Sequence, residues 1–361
     1  GYRNSGGTNG YDLWVMHISA TGAPTGFKEK IFAAAGSDYG YGVAWHPSAQ
    51  RAIIAGYRYE TGKSNQGQLG WVDVKGASGL VKFGGAGSDL FRAVTVQANG
   101  YIVAAGSTSG GTQADLKGGE DGWVVRTTSS LTGVKETIVG SIGTDRIHSV
   151  TPGRFGGVVA VGSSTSHTMG SYDGAAWFVN TTAGKSERLQ RRYGGDKSDE
   201  IYAATTLPQG YGFAGGTYSH GANRDTWQLS VAESGSAACK AGTSTCATSS
   251  ACDDGKPCTL NVCTAGKCSF PVAPDMGCGT QMQCTAKAIC SCNLYERIMG
   301  FEPGDTNASK LNEYIMDVAR GAKGGSFSVG YVYESSALSN QGLVIHRNDL
   351  GDRVWVSKVG S

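Results

Sequence analysis

The 361-residue sequence is short of charge, of long apolar runs and, outside one block, of cysteine. Each shortage removes a class of protein. Charged residues are 17% of the chain, below the usual quarter. The formal net charge is +2, and no run of Lys and Arg exceeds two residues. A nucleic-acid binder needs a basic stripe that releases counterions, and this chain has none. No apolar run approaches the roughly 20 residues that cross a bilayer as a helix. Residues 1–20 lack the charged start and apolar core of a signal peptide. Catalytic signatures are scarce as well. There is no G-x-S-x-G elbow, H-E-x-x-H pair, P-loop or C-x-x-C-H site, and the six histidines are scattered without metal-ligand spacing. No catalytic residue is assigned.

What the chain has in excess is glycine, 57 residues, more than twice the usual share. With alternating apolar residues and spaced aromatics, this implies short strands and tight turns. The stretch AGSDLFRAVTVQANGYIVAAGSTS at 86–109 holds one such unit. It opens on Asp89, alternates, turns at Asn99-Gly100, alternates again and closes on Gly106. Asn-Gly between alternating runs predicts a type I′ hairpin. The unit recurs: Asp38, Asp89, Asp145 and Asp199 open copies, with Asn312 in that place once, and Gly56, Gly106, Gly162, Gly215 and Gly330 close them. A third element follows each closing glycine and places Trp14, Trp71, Trp123, Trp177 and Trp227 at one position, with Leu343 in the last copy. A fourth short strand ends each unit.

Four strands per period of about fifty residues are the signature of a propeller blade. The expected fold is all-β: a six-bladed β-propeller of four-stranded blades, one of them incomplete, with a small disulfide-rich insertion. The five tryptophans are read as inter-blade core. Blades 1–5 (the fifth in part) fill 1–236, the insertion 237–292, and the last strand of blade 5 with blade 6 fills 293–361. Blade 1 has no first strand within the chain, so a segment outside these residues, or a neighbouring chain, is expected to supply it by β-augmentation.

The pattern G-x-D…V…G-Y-x-V-A-G-x-T-x-S followed by D-x-W-x-V resembles the bacterial SBBP-type β-propeller repeat of secreted and surface proteins. The resemblance covers nearly all of 1–235 and 293–361. It implies a propeller and no catalytic residues.

All ten cysteines (Cys239, Cys246, Cys252, Cys258, Cys263, Cys268, Cys278, Cys284, Cys290 and Cys292) lie within one block. An even, dense cluster reads as a disulfide module of an oxidising compartment. Zinc is the competing reading, but C-x₄-C and C-x-C spacings dominate and the block holds no histidine. Cys258–Pro271 resembles the CTDC repeat of slime-mould extracellular matrix proteins, which again implies an extracellular setting. Asp253 and Asp254, followed by glycine, offer carboxylates to calcium or simply form a turn. Calcium is the one cofactor with a candidate site.

The opening residues Asp38, Asp89, Asp145, Asp199 and Asn312 are expected to ring one end of the propeller channel. Loops after the second strands carry Tyr57, Tyr59, Tyr172, Tyr218, Tyr331 and Tyr333, with His167 and His220. Converging carboxylates suit a cation or sugar hydroxyls, and loop tyrosines suit a sugar or protein partner. Against this, an Asp at a strand start also caps its own turn. The expectation is a secreted or cell-surface binding or scaffold module for an extracellular protein or glycan, without nucleic acid or a membrane span. The alternative is a polysaccharide-active enzyme with carboxylates at the channel mouth.

Overall fold

A computed structural model describes residues 1–4, 10–19, 21, 23–32, 36–60, 62–110, 119–153, 156–165, 171–181, 188–207, 210–219, 224–231, 262–264, 267–269, 293–299, 311–320, 326–334, 339–347 and 353–359. Every regular element among them is a β-strand. The first sheet has three strands, β1 (Tyr2–Asn4), β2 (Tyr11–Ile18) and β3 (Pro24–Phe32). Three four-stranded sheets follow in chain order: β4 (Asp38–His46) to β7 (Ser78–Phe83) through β5 (Arg51–Glu60) and β6 (Lys63–Asp73); β8 (Asp89–Val96) to β11 (Lys135–Val139) through β9 (Ile102–Thr108) and β10 (Asp121–Thr127); β12 (Asp145–Pro152) to β15 (Arg188–Tyr193) through β13 (Val158–Ser164) and β14 (Asp173–Val179). The fifth sheet takes β16 (Asp199–Leu207), β17 (Gly210–Thr217) and β18 (Asp225–Val231). A small hairpin, β19 (Val262–Thr264) and β20 (Lys267–Ser269), precedes its fourth strand, β21 (Asn293–Met299). The sixth runs β22 (Leu311–Arg320), β23 (Ser326–Glu334), β24 (Ser339–Arg347) and β25 (Arg353–Val359). The chain divides into two compact units, residues 1–204 with 215–224, and 205–214 with 225–361.

Within the first unit successive sheets pack face to face. Leu13 meets Ile54 and Val72 between the first and second sheets. Ile53 and Leu69 meet Phe91 and Trp123 between the second and third. Val103 and Val124 meet Ala160 and Trp177 between the third and fourth. A middle strand covered on both faces has no use for alternation, so β9, β13 and β17 are short runs of apolar and small residues, buried throughout. First strands alternate instead.

The register gives the repeated glycine its physical reason. A Cβ on Gly56, Gly106, Gly162 or Gly215 would overlap the carbonyl oxygen of the residue after the opening Asp: Tyr39, Leu90, Arg146 or Glu200. In the second unit, Gly330 meets Tyr314 in the same way. Beside this approach the register shifts by one residue at Gly40/Gly42, Phe91/Ala93, Ile147/Ser149 and Ile315/Asp317. These are β-bulges, which bend a strand and re-aim one side chain. Substituting Gly106→Ala forces backbone against backbone. It is expected to destabilise the chain by about 1–3 kcal/mol, read as a lower denaturant midpoint. An unchanged midpoint would remove this reason for the glycine.

Three expectations change. First, the position opposite Gly106 is held by Trp123, but opposite Gly56, Gly162 and Gly330 stand Gln68, Ala175 and Leu343. Trp14, Trp123 and Trp227 share one register, each pairing with an isoleucine of the fourth strand (Ile31, Ile138, Ile298), while Trp71 and Trp177 lie three and two residues further along their strands. An odd shift reverses the face, so Trp71 joins the core from the opposite sheet. Second, Glu313, not Asn312, opens the last unit in register. It pairs with Val332, two residues past Gly330, as Asp89 pairs with Thr108. Third, the turn at Asn99-Gly100 is not type I′. Only Gly100 has positive φ, and its N–H donates to the Gln97 carbonyl at 2.9 Å. This is a type I turn followed by a left-handed residue, repeated at Asp73–Gly76 and Thr128–Leu131.

Candidate functional site

The opening aspartates are buried, Asp38, Asp145 and Asp199 completely. Three have the bonds of a turn cap. The Asp89 carboxylate accepts from the Gly85 N–H at 2.7 Å, Asp145 from Ser141 at 2.9 Å, and Asp199 from Gly195 at 2.8 Å. A glycine of positive φ precedes each donor (Gly84, Gly140, Gly194) and lets the chain fold back on the carboxylate. Thr108 Oγ1 also donates to Asp89, and Ser219 Oγ to Asp199 at 2.7 Å. Asp38 lies 3.6 Å from the Arg58 guanidinium.

The tyrosines read as loop residues are divided between strands and strand ends. Tyr57 and Tyr59 lie in β5, and Tyr331 and Tyr333 in β23, because these strands run past the repeated glycine. Tyr331 stacks on Tyr314 at 4.6 Å. Tyr172 and Tyr218 flank strands: the Tyr172 carbonyl accepts from the Asp199 N–H at 2.8 Å, and the Tyr218 N–H donates to Ser198 at 3.0 Å. The side chains of Asn312 and Tyr333, together with His167 and His220, lie outside the described residues. So do Asp253, Asp254 and eight of the ten cysteines. Cys263 and Cys268 are opposite one another in the β19–β20 register.

The structure brings together a different set, three residues after each opening Asp: Tyr41, Arg92, His148 and Tyr202. The first three are the bulged residues. All four belong to the first unit. That spacing was the signal in the sequence, masked by the differing residue types. Around Tyr41 gather Tyr2, Tyr11, Tyr39 and Tyr57, each ring centroid 4.9–6.4 Å from a neighbour. Tyr2, Tyr11 and Tyr41 remain 49%, 40% and 48% exposed. The Arg92 guanidinium lies 5.9 Å over the Tyr41 ring. Burial raises the Tyr57 pKa, helped by its hydrogen bond to Tyr41.

Beyond Arg92 the polar groups are paired. Glu120 accepts from Arg146 Nε at 2.7 Å and from Ser107 Oγ at 2.6 Å. Glu200 accepts from Arg224 at 3.0 Å and from the Tyr202 hydroxyl, which takes a second Arg224 N–H at 2.5 Å. The His148 ring lies 5.1 Å from that of Tyr202, with Ser163 Oγ 3.4 Å from its Nε2. Desolvation first, then the charges of Arg92, Arg146 and Arg224, push His148 down to about 3, so it is neutral at physiological pH. Solvent reaches His148 only in part. No group of three metal-ligating side chains occurs among the described residues. Stacked phenols, one guanidinium and a neutral imidazole offer aromatic faces, hydrogen-bond donors and positive charge.

No family model matches the chain, and no curated protein does. Among solved structures, a point mutant of Synechocystis apocarotenoid oxygenase aligns with a TM-score of 0.44 at 8% identity, over 90% of this chain and 63% of that one. The parainfluenza virus 5 hemagglutinin-neuraminidase ectodomain gives 0.38 at 5% identity, over 96% and 74%. The Pseudomonas aeruginosa periplasmic gluconolactonase gives 0.36 at 10% identity, over 95% and 91%. The chain thus spans less than two thirds of the oxygenase. At scores and identities this low, none of the three speaks for this protein's activity.

Proposed function

We propose that this chain is a six-bladed β-propeller of the SBBP type, secreted or displayed at the cell surface, that acts as a binding module for an extracellular glycan. The observation that carries the reading is the tyrosine platform. Five rings from the first two sheets lie edge to face or stacked within 6.4 Å of a neighbour, and three are 40% or more exposed. A monomeric protein has little reason to expose such a surface. Sugar rings present an apolar C–H face that packs on a phenol ring, while the phenol hydroxyl meets the sugar's own hydroxyls. The propeller reading is supported by antiparallel sheets that repeat in chain order, share a bulge and a close-approach glycine, and bury large apolar side chains between successive faces in the first unit. The cysteine block supports the extracellular setting. A polysaccharide-cleaving enzyme has less support. The two carboxylates of the cluster, Glu120 and Glu200, are each held by an arginine.

A glycan and matrix-protein array probed with the intact chain tests the proposal. Glycan binding is expected, with Tyr41→Ala about tenfold weaker, a loss of about 1.4 kcal/mol, and the melting temperature nearly unchanged because Tyr41 is half exposed. Binding only to proteins, or glycan binding indifferent to Tyr41, would overturn it.

A further inference from the structure

The charges of three guanidiniums, Arg92, Arg146 and Arg224, act on His148, and two of the three are neutralised by carboxylates. Arg146 pairs with Glu120 at 2.7 Å and Arg224 with Glu200 at 3.0 Å. Arg92 has no carboxylate within ion-pair distance among the described residues, and its Nε is buried without a hydrogen-bond partner. Its guanidinium lies 5.9 Å over the Tyr41 ring and also acts electrostatically on Tyr57 and His148. His148 adds no second positive charge and no negative one. The bulge at Phe91/Ala93 sets the Arg92 side chain beside that of the neighbouring bulge, on the rim of the tyrosine platform. A buried N–H without a partner is costly, and a planar guanidinium fork fits a carboxylate through two parallel hydrogen bonds. A surface arginine would be hydrated. This one lies 5.9 Å from the centre of an aromatic ring, with one N–H withdrawn from water.

Resting on the glycan reading above, we propose that Arg92 is an anion subsite of the platform, and that the ligand is an acidic oligosaccharide whose carboxylate docks on the guanidinium while a sugar ring lies on Tyr41. Carboxylate sugars and neutral sugars share the same apolar face, so the tyrosines alone do not tell them apart. Arg92 supplies the discrimination.

The test compares trigalacturonate with its methyl ester, which keeps the rings and removes the charge. Titration calorimetry on the intact chain at low salt is expected to give about tenfold tighter binding of the acid, with the gap narrowing at high salt. Arg92→Gln should remove the gap and leave the ester's affinity within twofold. Arg92→Lys should keep part of the gap, since it keeps the charge and loses the fork. If Arg92→Gln unfolds, the lysine variant and the salt dependence still decide the matter. Equal affinity for acid and ester in the wild-type chain would sink the anion subsite and leave the platform standing. If neither ligand binds, the acidic-oligosaccharide proposal falls, and the glycan array with Tyr41→Ala decides the platform separately.

Discussion

Replacing Trp123 by alanine is expected to remove about 3–5 kcal/mol of stability, the range for deleting a buried indole. The side chain is 2% exposed and lies flat on Phe91, with centroids 4.5 Å apart and planes 15° from parallel. Its Nε1–H donates to Glu136 at 3.2 Å, so the polar edge of the ring is satisfied. The cavity would open between two sheets that share this cluster, where β-strands held by ladders on both sides do not collapse to fill it. Trp71 provides the internal comparison. It packs on the same cluster but is half-buried, with the Arg51 guanidinium 3.9 Å over its ring. Trp71→Ala should therefore cost about 1–2 kcal/mol. Denaturant unfolding of both variants settles the point. Equal losses would mean that the two indoles are equivalent wedges after all, and that the register offset has no energetic meaning.

That offset shows what a linear reading retains and what it loses. The period of about fifty residues, the opening Asp and the closing Gly were all visible, because each answers to a local backbone demand: a turn to cap, or a carbonyl to avoid. Tryptophan at 71 and 177 answers to a different demand, the filling of space between sheets, which any of several neighbouring strand positions meets. Its spacing in the sequence therefore drifts by two or three residues while the packing problem stays the same. Asn312 illustrates a subtler loss. It has the polar character of the repeated residue, but the Gly330–Ile315 pairing puts Glu313 in that register, and a single-residue slip is invisible without the partner strand. The candidate site was the least legible part. A bulge is an extra residue in a ladder, and neither strand announces it alone. The residues it presents, Tyr41, Arg92 and His148, share no side-chain chemistry that a repeat search would align. The five-tyrosine platform is assembled from two sheets, and only Tyr57 of its members was singled out from the sequence.

The opening aspartates and the bulged residues make opposite predictions, and Asp89 is the sharpest case. It is 1% exposed, accepts from the Gly85 N–H at 2.7 Å and also from Thr108 Oγ1. Hydrogen bonds to a charged acceptor are each worth about 1.5–3 kcal/mol. Asp89→Ala strands a turn N–H and a buried hydroxyl together, so a loss of about 3 kcal/mol is expected in denaturant unfolding. Asp89→Asn should lose less, since its side-chain oxygen still meets the Gly85 N–H, and Thr108→Val should lose only the share of one bond. None of the three should alter ligand affinity measured well below its melting temperature, because the carboxylate has no face toward solvent. Tyr41→Ala should behave in reverse, keeping stability and losing affinity. If Asp89→Asn instead kept its unfolding midpoint and weakened ligand binding, the aspartates would be ligand contacts. The turn-capping role, and the division between a buried scaffold and an exposed bulge surface built on it, would then be wrong.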